Sequence, residues 1–209
     1  MTTSLQPPAP IPGQLTDQAV GLAAAAAARA RFRKRFLLGL VILAVIFLVT
    51  YAFAWYNANQ LATRFFDDAE ASFNAGDYLR ALVGYQNFDE TTNKYINYGG
   101  YLNVEKIWSS RYSWPQPSYV QQAVKRSDEV IGQKLTVEQA EQYILENTGR
   151  PGAPYFAEIY LRLGELYEQN GDTEDAIDVY QSYASQFPNH KDLIEQAQQH
   201  LARLKKQNK

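Results

Sequence analysis

The feature that most constrains this chain is an apolar segment without formal charges, residues 36–56, which reads FLLGLVILAVIFLVTYAFAWY. The hydrocarbon core of a bilayer is about 30 Å thick and a helix rises about 1.5 Å per residue, so roughly 20 apolar residues cross it. The segment therefore predicts one transmembrane helix. It separates a tail, residues 1–35, from residues 57–209, which are enough for one soluble domain.

The tail is rich in proline and alanine and ends in a basic cluster beside the apolar segment. The positive-inside rule therefore predicts a cytoplasmic N-terminus and an extracytoplasmic domain, in a bacterial-type inner membrane. We expect basic side chains on one side of the bilayer and aromatic side chains on the other to contact lipid. These predicted membrane-interface residues are Arg31, Arg33, Lys34, Arg35, Trp55 and Tyr56.

A cleaved signal peptide is the competing interpretation, because Ala52-Phe53-Ala54 has the form of a small-residue cleavage site. The apolar core of a signal peptide is normally about 7–15 residues long, which is shorter than this segment. No Gly or Pro lies between Val41 and Ala75, so we expect the span helix to continue into the first helix of the following domain. N-terminal sequencing of the mature protein distinguishes the two interpretations.

The composition excludes several kinds of chemistry. The chain has no cysteine, and its net charge is -2, with no basic stripe that would bind nucleic acid. The two histidines, His190 and His200, fall in no metal-binding or catalytic motif, and no phosphate loop or dinucleotide fingerprint is present. We therefore predict no catalytic residue, no metal and no cofactor, with a membrane-tethered enzyme as the least favoured alternative.

Hydrophobic periodicity predicts a mostly helical domain. A helix that leaves the span ends near Gly76, and a second helix, with Asp77 as its cap, is predicted over residues 77–90. Residues 93–117 are predicted to be irregular, with one short helix at residues 104–111. Two further helices are predicted at residues 118–132 and 136–147, and the second opens with a capping box, Thr136 to Gln139.

The strongest pattern in the domain lies near the C-terminus. It consists of aromatic, small and apolar residues on two successive helices, followed by a proline: Tyr160, Leu163, Gly164, Tyr167, Ala176, Tyr180 and Pro188. Their order and spacing resemble one complete tetratricopeptide repeat over residues 157–190. The resemblance implies a helical-hairpin scaffold that binds proteins, and it transfers no catalytic residues.

An internal comparison extends this resemblance. A shift of 95 residues places Gly171 over Gly76 and Tyr180 over Tyr85, which predicts a degenerate repeat at residues 62–95. An aromatic-rich insertion with helices follows at residues 96–155, and residues 192–206 form a capping helix. The predicted fold is all-α: one transmembrane helix and a small α-solenoid. Because such stacks usually need about three repeats, either residues 118–147 form a middle repeat or a partner completes the stack.

Large aromatic residues concentrate between the two repeats. Aromatic side chains with a polar tip are enriched at the centres of protein interfaces, which makes this cluster a candidate contact surface. Filling of the core beneath a long loop is an equally good interpretation. The candidate partner contacts are Tyr98, Tyr101, Trp108, Tyr112 and Trp114.

These observations favour a non-catalytic scaffold whose partners are other protein subunits and membrane lipid, with no nucleic acid. The first hypothesis is an accessory subunit of a larger membrane complex, for which an energy-transducing or secretion complex would be a suitable host. The second is an envelope chaperone or assembly factor that binds secreted clients transiently. A rigid helical connection to the span favours the first, since it suits holding a neighbouring subunit.

Overall fold

The computed structural model describes the backbone of residues 12–150 and 152–207, and the side chains of residue 29 and of residues 32–150 and 152–206. The first helix, α1, is Pro12–Asn74. Its length agrees with the absence of helix breakers after Val41. The chain divides between Tyr56 and Asn57 into two compact units, which are described separately below.

The first unit contains the apolar segment. Within the described residues one helix is long and apolar enough to cross a membrane, and its most apolar stretch is not buried by other parts of the protein. This result rests on length and composition alone. The side chains of Arg33, Lys34, Arg35 and Tyr56 are exposed and that of Trp55 is half-buried, whereas the predicted interface residue Arg31 has a side chain outside the described residues.

The second unit continues with further helices and one hairpin of strands. After the end of α1 the elements are α2 (Tyr78–Val83), β1 (Tyr85–Asp89), β2 (Lys94–Tyr98), α3 (Tyr101–Trp108), α4 (Ser118–Glu129), a π-helical segment (Val130–Lys134), α5 (Val137–Asn147), α6 (Phe156–Asn170), α7 (Thr173–Gln186) and α8 (Lys191–Gln207). The described chain is therefore predominantly helical, as predicted, but it is not all-α.

The prediction of a helix over residues 77–90 is wrong after Val83. Asp77 caps α2 as expected, since its carboxylate accepts a hydrogen bond from the backbone N–H of Arg80. The chain then forms an antiparallel pair in which Tyr85 faces Tyr98 and Phe88 faces Tyr95. Residues 62–95 thus hold the end of α1, a short α2 and half of a hairpin, and they do not form a complete two-helix repeat.

The turn of the hairpin explains this departure. Asp89 accepts hydrogen bonds from the backbone N–H of Thr91 and from the hydroxyl of Thr92, at 2.9 and 2.8 Å. Asn93 takes a positive φ of 52°, a conformation that asparagine tolerates better than most residues. Cross-strand aromatic pairs add to this local turn, because such pairs stabilise antiparallel strands.

The hairpin is an insertion between two helices that meet at its base. A Cβ atom on Gly100 would lie 2.6 Å from the carbonyl carbon of Val83, and one on Gly84 would lie 2.5 Å from the carbonyl oxygen of Tyr98. Both glycines also have positive φ values, 77° at Gly84 and 87° at Gly100. Only glycine allows this approach, so the chain leaves the helical layer at Gly84 and returns to the same place at Gly100.

The last part of α1 packs beside α4, and side-chain contacts give their relative direction. Tyr119, at the start of α4, donates a hydrogen bond to the side chain of Asn59 at 2.9 Å. Arg126, about two turns further along α4, forms an ion pair with Glu70 at 3.0 Å and lies over the ring of Phe73. Residue numbers rise together in both helices, so the two helices run parallel.

The C-terminal helices α6, α7 and α8 form a second packed group. Gly164 on α6 faces α7, and a Cβ atom there would lie 2.6 Å from Cε1 of Tyr180. Ala176 is fully buried at the same crossing. Two hydrophobic clusters share α6: one also uses α2, α3, α5 and the π-helical segment, and the other uses α7 and α8. Gly164 and Ala176 thus let α6 and α7 approach closely.

The helices between residues 101 and 147 begin or end at residues somewhat different from the predicted ones. The helix predicted at 104–111 is α3 and begins three residues earlier. The helix predicted at 118–132 is α4 with the π-helical segment, and Thr136 and Gln139 form both hydrogen bonds of the predicted capping box. The stop predicted after Asn147 is confirmed, because α5 ends at that residue.

Candidate functional site

A concave groove of about 1120 Å³ lies between the hairpin, α3, α4, α5 and the segment before α6. Its floor consists of apolar and aromatic side chains, most of them buried, from three helices: Leu102, Trp108, Val120, Val124 and Tyr143. These residues are held by the packing of α3 against α4 and of α5 against α6. The floor is therefore part of the domain core, and the groove is a feature of the folded domain.

Amide side chains line the rim of the groove. Asn103 donates a hydrogen bond to the carbonyl oxygen of Gly99 at 2.8 Å, Gln116 to that of Trp108 at 2.9 Å, and Asn147 to that of Tyr143 at 2.8 Å. Each NH₂ group is thus fixed by the protein's own backbone. The amide oxygens of the three side chains accept no hydrogen bond from the described residues, so they remain available as acceptors.

The hairpin supplies one wall. Gln86 donates to the side-chain oxygen of Asn97 across the two strands at 2.8 Å, and both residues line the groove. Tyr85 stacks on Tyr98, with ring centroids 5.2 Å apart, and the guanidinium of Arg80 lies 3.6 Å from the centroid of the Tyr85 ring. The wall is therefore ordered by cross-strand contacts.

The charges of the groove are few and of both signs. Lys106 and Arg150 are exposed, as is Glu146. Glu105 is engaged within the domain: it accepts hydrogen bonds from the hydroxyl of the buried Ser127 at 2.6 Å and from Tyr155 at 3.0 Å. The groove consequently has no excess of one charge that would select an acidic or a basic ligand.

Burial keeps Tyr143, at the floor of the groove, in its neutral form. Tyr143 is 2% exposed, and its hydroxyl donates to the carbonyl oxygen of Pro154. Burial, followed by the charge of Glu158, raises the pKa of Tyr143 to about 12. The phenol therefore stays neutral at physiological pH and acts as a structural donor that ties α5 to the segment before α6.

The five predicted aromatic contacts fall into different environments. Tyr101 and Trp108 are 0% and 2% exposed, so they belong to the core, and the expectation that they offer an exposed contact surface is corrected. Tyr98 is half-buried in the hairpin. Tyr112 and Trp114, on the segment between α3 and α4, are 70% and 74% exposed. The structure does not bring the five rings into one patch.

The predicted repeat positions lie where α6 meets α7. Leu163, Gly164, Ala176 and Tyr180 are buried, whereas Tyr160 and Tyr167 are half-buried. Tyr180 and Tyr167 donate hydrogen bonds to Glu168 and Glu141 respectively. Pro188 is exposed between α7 and α8, where it ends the helical hairpin.

The two histidines lie outside the groove. His190 is exposed at the end of the repeat, and His200 on α8 contacts Glu168 and Tyr180 at 2.9 and 3.2 Å. Within the described residues no group of three or more His, Cys, Asp or Glu side chains is placed to hold a metal ion. His200 therefore joins α8 to α6 and α7 through side-chain contacts.

Residues 158–190 match the family model described as tetratricopeptide repeat. The match covers α7 and all but the first two residues of α6, and it agrees with the repeat predicted at residues 157–190. A search of the curated proteins finds no significant match to the chain, and neither does a search of the solved structures.

This repeat suggests a protein–protein interaction scaffold, because tetratricopeptide repeats are interaction modules and are typically non-catalytic. Sequence reasoning missed the groove residues outside the repeat. The amides of Asn103, Gln116 and Asn147 come from α3, the segment before α4, and α5, and no sequence spacing connects them. The one available signal was the turn after Asp89, which marks the hairpin wall.

Proposed function

We propose that this chain is a membrane-anchored, non-catalytic scaffold that holds an extended segment of another protein subunit in the groove. The observation that carries the proposal is the groove itself, with its apolar floor and its rim of amide oxygens. An extended peptide supplies backbone N–H donors to such acceptors and side chains to such a floor. The tetratricopeptide match independently supports a protein partner.

The membrane anchor is the second part of the proposal. The exposed apolar stretch of α1 and the basic cluster before it support a single span with a cytoplasmic N-terminus and an extracytoplasmic domain. A permanent place in a membrane complex accounts for an anchor, a repeat domain and a groove in one chain. The most suitable role is therefore an accessory subunit of a larger complex in a bacterial-type inner membrane.

Site-specific photo-crosslinking tests the groove. Gln121 lines the groove and Gln122 does not, although both are exposed neighbours on α4. We expect a photoreactive residue at position 121 to crosslink to a subunit that co-purifies stoichiometrically in mild detergent, and one at position 122 not to do so. Migration of the chain as a monomer without adducts at position 121 would contradict the proposal.

The outcome of the same purification separates the two binding roles. A companion present in equal amount supports the accessory subunit. Many different secreted proteins crosslinked from position 121 in small amounts would support a chaperone or assembly factor and overturn the permanent complex. A hydrolytic or transfer activity of the purified chain that Gln121→Ala leaves unchanged would instead indicate an enzyme with another site.

Topology is tested with cysteines, since the natural chain has none. A membrane-impermeant maleimide should label Asn189→Cys in intact spheroplasts, whereas Thr2→Cys should react only after the membrane is opened. N-terminal sequencing of the same material should recover the residues before the apolar segment. A mature protein that begins after Ala54 would mean that the segment is a signal peptide.

A further inference from the structure

The hairpin has a strand edge that pairs with no other strand of the described residues. Its sheet consists of β1 and β2, and among the described residues no backbone hydrogen bond from outside this sheet reaches residues 85–89. In an antiparallel pair, alternate residues direct their N–H and C=O groups to the partner strand, and the residues between them direct theirs away. The outer edge of β1 therefore carries a row of backbone donors and acceptors that β2 does not use.

This edge borders the groove. Tyr85 and Gln86 are neighbours on β1, so their side chains lie on opposite faces of the hairpin, the first against Tyr98 and the second against Asn97. Both residues nevertheless line the groove, together with residues 83–84 just before the strand. A surface that meets residues of both faces meets the strand along its edge. The groove is thus open to the outer edge of β1.

Nothing in the sequence of β1 blocks this edge. Strands that must not pair with another chain are usually protected by proline, by a bulge or by charged side chains. β1 contains no proline, and its register with β2 is continuous from Tyr85 to Asp89. Its single charge, on Asp89, lies at the end of the strand beside the turn. The part of β1 that borders the groove is therefore suited to pairing with a further strand.

We infer that the partner segment in the groove binds as a β-strand added to the outer edge of β1, so that the hairpin becomes a three-stranded sheet. The inference rests on the proposed function, because it specifies how the peptide in the groove is held. A helical partner uses its backbone groups internally and cannot satisfy this edge, whereas an extended segment can.

The geometry of a strand also defines the chemistry of the occupant. Successive side chains of an added strand point to opposite faces, so every second side chain contacts the apolar floor of the groove and the others point away. β1 has five residues. The partner segment is therefore about five residues long, extended, and composed of alternating apolar and polar residues.

Hydrogen–deuterium exchange at single-residue resolution tests the inference without altering the chain. The full chain is measured in mild detergent, once in complex with the companion that crosslinks from position 121 and once after expression without that companion. The outward amides of β1 report on the added strand. The outward amides of β2, on the opposite edge of the hairpin, are the matched control, because the added strand does not reach them.

In the chain alone, we expect the amides of residues 85–89 to alternate between slow and fast exchange. In the complex, the fast amides of β1 should slow by about tenfold or more, whereas the fast amides of residues 94–98 should keep their rates. Unchanged rates in β1, despite crosslinking from position 121, would overturn the added strand and leave the proposed function intact. Absence of both a companion and a crosslink would contradict the proposed function, and the inference with it. Concentration-dependent slowing in the chain alone would indicate that two copies of the hairpin pair with each other, which would also overturn the inference.

Discussion

At the scale of single residues, the repeat depends on how closely two helices approach. Gly164 has no room for a side chain, because an added Cβ atom would lie 2.6 Å from Tyr180 Cε1 and 3.0 Å from a methyl carbon of Val179. The ring of Tyr180 is 2% exposed and is held by contacts with Glu168 and His200, so it cannot move aside freely.

We predict that Gly164→Ala lowers the free energy of unfolding by about 1–3 kcal/mol, the usual range for overpacking a core. Chemical denaturation measures the change. Gly132, another glycine within helical backbone, has no atom within 4 Å of an added Cβ, so Gly132→Ala is the matched control and should not destabilise the domain. Equal effects of the two substitutions would mean that the crossing of α6 and α7 has room for a methyl group at position 164.

A second residue-scale prediction concerns Glu168, which joins α6 to α8. Arg203 donates to one carboxylate oxygen at 2.7 Å, and His200 Nδ1 lies 2.9 Å from the other. Burial by itself would raise the pKa of Glu168, but the hydrogen bonds from His200 and Arg203 outweigh it and hold the pKa below the ordinary value of 4.5. The ionised form is therefore favoured more strongly in the folded state than in the unfolded chain.

A lowered pKa in the folded state gives stability that is present above the unfolded pKa and is lost as the pH falls through the folded value. When the pH is lowered from 7 to about 3, we predict that the melting temperature of Glu168→Gln falls less than that of the natural protein. Glu174→Gln, at an exposed position on α7, should retain the natural loss. Identical acid sensitivity of all three proteins would show that Glu168 does not contribute to the pH dependence.

At the scale of elements, the hairpin is separable from the helices that flank it. A Cβ atom on Gly84 would lie 2.9 Å from the carbonyl carbon of Gly99, so the two residues already touch. The strands between them are mostly exposed. Deleting residues 85–98, so that Gly84 is joined to Gly99, should therefore leave α2 and α3 in place.

We predict that this deletion changes the melting temperature by only a few degrees, of the order expected from about 1 kcal/mol, and abolishes crosslinking from position 121. The groove loses one wall, whereas the helical core keeps its contacts. Gly100→Ala in the intact chain is the opposing control, since its Cβ would lie 2.6 Å from backbone atoms of Val83 and Gly84 and should destabilise the fold. Unfolding of the deletion variant would show that the hairpin supports the core.

The elements also show what a sequence can predict here. Local signals were sufficient where the stabilising contacts are local, as with the capping box of Thr136 and Gln139 and the α6–α7 repeat. They failed at residues 85–90, because Tyr85 and Phe88 also fit a helical period, whereas the structure forms a strand and a turn at Asp89. The groove depends on the packing of α3 against α4 and of α5 against α6, which periodicity within one segment cannot reveal.

At the scale of the whole domain, α6 is the element that links the two hydrophobic clusters. Leu163 and Leu166 lie in one cluster and Leu161 lies in the other. In a stack of repeats stability arises from each unit and its neighbours, so a shared helix should make the clusters unfold together. Damage at α8 should then be detected at the groove, on the other side of α6.

We predict that Leu204→Ala, which removes a side chain only 3% exposed on α8, lowers stability by about 2–5 kcal/mol and shifts the unfolding of the whole domain. The reporter is the fluorescence of Trp108 at the floor of the groove, in a full chain that carries Trp55→Phe and Trp114→Phe. Leu145→Ala, at a position that is 79% exposed, is the control and should leave the unfolding transition unchanged.

In Leu204→Ala, the unfolding midpoint reported by Trp108 fluorescence could stay unchanged while the helical circular dichroism signal decreases in an earlier step. The two hydrophobic clusters would then unfold independently. The groove would then belong to a unit that folds without the tetratricopeptide repeat. A single shifted transition would instead mean that the repeat stabilises the groove, so that substitutions at α8 weaken partner binding without touching the partner.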